Sequence, residues 1–223
     1  MKNPWVVLGI IVVVLFGGAI LLSNKSAEKN NEGVIVADHV KGNPDAGVVL
    51  VEYSDLQCPA CAAFAPVVSD TLDQYGDSVR FEYKHFPLYI HPFALNAALA
   101  AEAAGQQGKF FEYHDILFER QSQWSNATVP LGFFVSYAEE LGLDTDLFRR
   151  HMKSTLLRDK VEQDLEAAEG LGLTGTPTFF LNGERMTIQT YQDFIDQIGR
   201  AVDPTAVSST TDATAEPEVT FGL

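Results

Sequence analysis

The chain has 223 residues, 46% of them hydrophobic, and a formal net charge of −15. The length allows one or two domains with a full core. The charge argues against nucleic acid, whose binders need a basic face, and against adhesion to anionic lipid headgroups. The chain opens on an uncharged run of 19 residues, Pro4 to Leu22. At about 1.5 Å per residue this run can cross a hydrocarbon core of roughly 30 Å. It is longer than the apolar stretch of a cleaved signal, and no clear cleavage site follows. Residues 1–23 therefore read as an uncleaved N-terminal transmembrane helix, with a cleaved signal as the alternative. Trp5 suits a membrane interface, but Lys2 on one side and Lys25 and Lys29 on the other leave orientation open.

Ser23 to Gly33 is polar and reads as a flexible tether, with a linker over 24–33. Val34-Ile35-Val36 reads as a short strand, and Lys41 to Gly47 is rich in turn residues. Val48 to Tyr53 is a buried strand by its β-branched content. A helix is expected from Cys58 to about Tyr75-Gly76, kinked at Pro66. Val79 to His85 alternates apolar and polar and predicts a second strand. The pattern then turns helical over about 90–172. Helices are predicted over Pro92–Ala104, Phe110–Arg120, Leu131–Leu141, Thr145–Ser154 and Arg158–Leu171. Strand character returns at Thr178–Leu181, followed by the hairpin signal Asn182-Gly183 and a returning strand over Arg185–Ile188. Thr190 is placed to cap a last helix running to about Val202. Residues 203–223 are acidic, lack Lys and Arg, and read as a disordered tail.

The stretch Asp55-Leu56-Gln57-Cys58-Pro59-Ala60-Cys61 holds the only two cysteines, three apart, where the first long strand meets a helix. The free amides and positive dipole end of a helix start favour an anion such as a thiolate. Cysteines so placed in C-x-x-C pairs fall from about 8.5 to roughly 3.5–7. Pro59 fits the first helical turn. Cys58 is thus the expected exposed attacking sulfur, with Cys61 resolving from one turn further in. A half zinc site is the first competing reading. It needs two more ligands from His39, His85, His91, His114 and His151, which form no second ligand pair. A structural short-loop disulfide and a chance pair of buried thiols are the others. A C-x-x-C between strand and helix patterns reads more readily as redox. Stable dithiol oxidants belong in oxidising compartments, which places the domain outside the cytoplasm on a single-pass anchor in the cell membrane.

With Cys58-Pro59-Ala60-Cys61 and Gly175-Thr176-Pro177-Thr178 together, the chain resembles the thioredoxin superfamily, and within it the membrane-tethered, DsbA-like disulfide oxidoreductases. Glu52 to Gln57 is similar to the family's strand end, Pro66 to its helix-kink proline, and His85-Phe86-Pro87-Leu88 to its segment after the next strand. The resemblance implies an α/β thioredoxin fold over 34–202 with an inserted helical domain. It implies that Pro177 is a cis-proline beside the redox pair and that Thr176 offers backbone groups to an extended substrate. It also matches Glu52 to a buried acid that exchanges a proton with Cys61. Lys84 on the neighbouring strand is its candidate charge partner. The alternative for Glu52 is a solvated place at the strand edge. Pro59 and Ala60 tune the pair from beside it, and Ala60 adds no charge, so a mild oxidant is expected.

The function implied is disulfide formation in secreted or surface proteins, by exchange with reduced, unfolded clients. A membrane quinone-linked thiol oxidase would recycle the pair, and no metal or organic cofactor is needed. A reductase or isomerase for particular clients, for example in cytochrome maturation, and a non-catalytic binding or chaperone module remain as alternatives.

Overall fold

The computed structural model describes residues 25–205 together with Trp5, Leu8, Val12, Val13 and Ser23. The expected anchor over 1–23 falls almost wholly outside the described residues, as does the tail beyond residue 205. Among the described residues no helix is long and apolar enough to cross a membrane.

Five strands form one sheet: β1 (His39–Gly42), β2 (Val48–Ser54), β3 (Val79–His85), β4 (Thr178–Leu181) and β5 (Glu184–Arg185), in the order β1-β3-β2-β4-β5. β2 pairs parallel with β3 and antiparallel with β4, so it is central. A parallel pair needs a crossover, and α1 (Pro59–Tyr75) supplies it. The alternation read in Val79–His85 is real: every second residue is buried. One sheet face carries Leu50, Phe81, Tyr83 and Phe179. It packs on Phe64 of α1 and on Phe194 of the terminal helix α8 (Tyr191–Val202), with ring centroids of Phe64, Phe179 and Phe194 within 5.0 Å of one another. The helical insertion contains α2 (Ala94–Gly105), α3 (Phe110–Glu119), α4 (Gln121–Trp124), α5 (Leu131–Glu140), α6 (Thr145–His151) and α7 (Thr155–Gly170). α7 packs on the opposite sheet face, where Tyr53, Phe86, Ala168 and Leu173 cluster.

Several expectations are corrected. Val34–Val36 is not a strand; the first strand begins at His39. The Ile35 backbone is satisfied by the Gln106 side chain, which accepts from its N–H at 2.7 Å and donates to its C=O at 3.0 Å, so no ladder is needed. The linker is not a loose tether over its described length. Residues 25–31 are helical, and Asn31 binds Ser154 Oγ at 2.8 Å and the Thr155 N–H at 3.0 Å. α7 begins at Thr155 rather than Arg158 because the Ser154 side chain caps it, accepting from the Leu157 N–H. The returning strand is shorter and earlier than read, Glu184–Arg185. Asn182 and Gly183 both have positive φ, as a tight primed turn requires. Thr190 does cap α8, accepting from the Asp193 N–H at 3.0 Å.

At Gly42 φ is +80°, and a Cβ would lie 2.4 Å from the Val79 carbonyl oxygen. Gly42→Ala is expected to destabilise the protein by about 1–3 kcal/mol, read as a lower urea midpoint with an unchanged slope.

Candidate active site

The strand-to-helix turn is built by buried polar groups. Asp55, at the end of β2, accepts the Gln57 N–H on Oδ1 at 2.7 Å. Its Oδ2 accepts from the Leu88 N–H at 2.9 Å and from His91 Nδ1 at 2.6 Å. The Asp55 carbonyl accepts the Cys58 N–H at 3.0 Å. Gln57 reaches outward, accepting the Phe93 N–H on Oε1 at 2.7 Å. Gln121, on α4, donates to the carbonyls of Leu56 at 2.9 Å and Cys58 at 3.0 Å. Side chains from the helical insertion thus clamp the turn that carries the sulfurs. An Asp-x-Gln just after a strand signals such a turn. Nothing local in the sequence marks His91 or Gln121, and α4 itself was not anticipated.

Cys58 is the N-cap of α1 and Pro59 its first residue. Both cysteines are free thiols. Cys58 is 7% exposed and Cys61 fully buried, so Cys58 is the more accessible sulfur but lies far less open than expected. The Cys58 thiol falls to about 6, chiefly because the Cys61 thiol donates to it. Thr176 and the N–H groups of Cys61 and Ala60 add to this, against the opposing cost of burial. Those two amides belong to the unpaired first turn of the helix. The helix start therefore acts as read from sequence, but behind the partner sulfur and Thr176. Cys61 is pushed well up by burial and by its bond to Cys58. One proton is thereby held on the inner sulfur.

Thr176-Pro177 is a cis peptide. The Cys58 thiol donates to the Thr176 carbonyl oxygen at 3.5 Å, which places the proline loop directly over the outer sulfur. The Thr176 hydroxyl is buried without another partner, so it is free to turn a donor toward a thiolate. Beside this loop lies an apolar groove of about 600 Å³, lined by Phe86, Leu88, Tyr89, Leu165, Leu173 and Thr174.

Glu52 is 3% exposed, on the sheet face that α1 covers. Burial raises its carboxyl to about 7. The Ser54 hydroxyl, which meets no partner at good hydrogen-bond geometry, offsets this only partly. Lys84 is not its charge partner. The β2–β3 register pairs Glu52 with Tyr83 and Tyr53 with Lys84. Adjacent strand residues point to opposite faces, so Lys84 lies across the sheet, donating to Asp38 Oδ1 at 2.6 Å.

Among the described residues one cluster has metal-ligand types: His39, His85 and Glu102, with ligand atoms within 4.8 Å of one another. Glu102 Oε1 sits 2.9 Å from His39 Nε2 and 3.1 Å from His85 Nε2. Burial pushes the Glu102 carboxyl up, but these two bonds override it and hold it at about 2. Three donors are one short of a closed structural zinc site, and neither cysteine is among them.

A family model described as thioredoxin matches residues 35–200. Na(+)/H(+) antiporter NhaA 3 of Salinispora tropica is 44% identical over 149 residues, 66% of this chain and 22% of that protein. The chain spans less than a quarter of the length of such curated relatives. Among solved structures, a thioredoxin-like oxidoreductase from Silicibacter pomeroyi superposes with a TM-score of 0.64 at 28% identity, over 76% of this chain and 94% of that one. Wolbachia pipientis alpha-DsbA1 superposes with a TM-score of 0.62 at 24% identity, over 80% and 100% of the two chains.

Two measurements follow from the electrostatics. Thiolate absorbance should titrate Cys58 near 6, and Cys61→Ala should move that midpoint upward by removing the largest donor. For Glu52 the folded value, about 7, lies above the ordinary 4.5. Its contribution is therefore fully favourable below 4.5 and is lost as pH rises to about 7. Glu52→Gln should thus gain stability over wild type across that window, by up to about 3 kcal/mol at roughly 1.4 kcal/mol per pH unit. Urea denaturation at pH 4.5 and pH 8 checks it.

Proposed function

This chain belongs to the thioredoxin family, with the architecture of the DsbA-type thiol–disulfide oxidoreductases, and from that premise we propose that it acts outside the cytoplasm to form disulfides in reduced, unfolded client proteins. The observation that carries this is the pair itself: an outer sulfur near 6 against the cis-proline loop, backed by a fully buried inner thiol. Lowering the thiolate's free energy stabilises the dithiol form, which makes the disulfide the oxidant.

The cycle is as follows. A client thiolate attacks Cys58 of the Cys58–Cys61 disulfide, forming a mixed disulfide and expelling Cys61 as a thiolate that takes up a proton. A second client thiolate attacks its own sulfur in the mixed disulfide and expels the Cys58 thiolate. The client has lost two electrons and the enzyme holds them as a dithiol. In re-oxidation the Cys58 thiolate attacks an acceptor disulfide, and Cys61 gives up its proton and closes the ring. A membrane quinone-linked thiol oxidase fits the acceptor role. The client backbone lies along Thr176, and the apolar groove ending at Thr174 takes its hydrophobic side chains.

Membrane attachment through residues 1–23 is part of the proposal. The 19-residue apolar run supports it, as does likeness to part of proteins named antiporters, which work in membranes. Pro59-Ala60 places no cation beside Cys58, which favours a mild oxidant and keeps isomerase action as the second reading. Equilibration with glutathione tests both. A potential of roughly −120 to −180 mV is expected, while one near −270 mV would mark a reductase instead. Cys58→Ser should abolish oxidation of a reduced, unfolded client; a variant retaining full activity would make the domain a binding module.

A further inference from the structure

The cycle puts a proton on Cys61 once and takes it off once, yet Cys61 is fully buried and a mixed disulfide covers the Cys58 side. Glu52 is also buried, and its charge is felt at Cys61. A proton that reaches Glu52 must still reach water. A small cavity of about 20 Å³ touches Glu52 between α1 and α3, and Ser69, Lys41, His114 and Asp115 share its lining. That volume holds about one water, which needs two or more polar partners to stay. Glu52 lies at the inner end. At the outer end, half-exposed Asp115 lies 3.9 Å from Lys41.

His114 stands between. Its Nδ1 is 2.8 Å from Asp115 Oδ1. A carboxylate only accepts, so Nδ1 carries the hydrogen and Nε2 is left with a lone pair. Nε2 is buried and has no partner in the protein. A buried acceptor without a partner carries a free-energy cost, and one water in this cavity removes it. We infer that His114, oriented by Asp115, passes protons between a cavity water at Glu52 and solvent, and so completes the proton path of Cys61.

The charges around His114 fit that role. Burial is the largest influence and opposes a charge on the ring; Asp115 on its own helix draws a proton toward it, and Lys41 from β1 and His85 from β3 oppose more weakly. Tyr83 of β3 meets the ring edge-on at a centroid distance of 4.8 Å, and Glu52 of β2 completes the surroundings. The net direction is downward, so the imidazole rests neutral near pH 7 and can accept. When Cys61 closes the ring, Glu52 takes its proton, the water carries one on to His114 Nε2, and Nδ1 releases its hydrogen to solvent by way of Asp115, which leaves the ring with its hydrogen on Nε2. When Cys61 next leaves as a thiolate, Glu52 gives it a proton and recovers one through the water from Nε2–H, and Nδ1 regains a hydrogen from solvent by way of Asp115.

The inference rests on the redox reading but is tested apart from it. The full chain, reduced, is mixed with glutathione disulfide in weak buffer at pH 7, then acid-quenched and weighed over time. Formation of the Cys58–glutathione mixed disulfide reports attack by Cys58. Its loss, with release of glutathione, reports attack by Cys61. His114→Ala should leave the first step within twofold and slow the second about tenfold or more, less than the roughly hundredfold or greater loss of a group that meets the reacting atoms directly, since His114 acts through Glu52. Added imidazole should restore the second step in proportion to its concentration. His114→Asn is run alongside in case the alanine variant does not fold. A second step within twofold of wild type, while Glu52→Gln slows it, overturns the proposal. So does a slowed second step that imidazole leaves unchanged. If no mixed disulfide forms at Cys58 in the wild-type protein, the redox reading fails instead.

Discussion

The site depends on what the two sulfurs do to each other. The Cys61 thiol donates to Cys58, so the outer sulfur ionises near 6 while the inner one is pushed well up. A single proton is kept where water does not reach, and the negative charge sits where a client can. Burial and hydrogen bonding act in opposite senses on the two atoms. Those senses follow from position: Cys58 caps α1 with free amides beside it, whereas Cys61 is one turn inside the core.

That division of labour requires a turn that does not drift. Asp55 satisfies three donors within the turn and the loop after β3. Gln57 and Gln121 tie the same turn to the helical insertion. Each of these bonds has at least one buried partner, Asp55, Leu56, Gln57 or Cys58, so breaking them would leave polar atoms unsatisfied inside the protein. The insertion therefore does more than cover one side of the sheet. It fixes the backbone of Leu56 and Cys58 from outside the α/β unit.

Glu52 is kept at the expense of stability. Among the described residues its carboxyl forms no ion pair, and its unfavourable ionisation is worth more to a proton-transferring site than to the fold. Ser54 Oγ, Tyr83 Oη and His114 Nε2 are buried without protein partners. Unsatisfied polar atoms are few in native proteins. Here Ser54 draws the Glu52 carboxyl back toward its ionised form, Tyr83 is kept neutral by burial and then by the charges of Glu52 and Cys61, and His114 lines the cavity that reaches Glu52.

The sequence by itself determined the elements whose physics is local. The alternation in Val79–His85, the Asn182-Gly183 turn, the Thr190 cap and the C-x-x-C at a helix start are all properties of a few adjacent residues. Distant pairings were decided only by the tertiary structure. Lys84 could be assigned to Glu52 on proximity of strands, but a single residue of register sends it to the other face. Ile35 satisfies its backbone with a side chain 71 positions away, so a plausible strand never forms. His91, Gln121 and His114 carry no local signal, because what each does depends on which atom the folded chain brings against it. Propensity and spacing act over one or two turns of chain, whereas the charge and solvation of a buried atom are set by everything packed within a few ångströms of it.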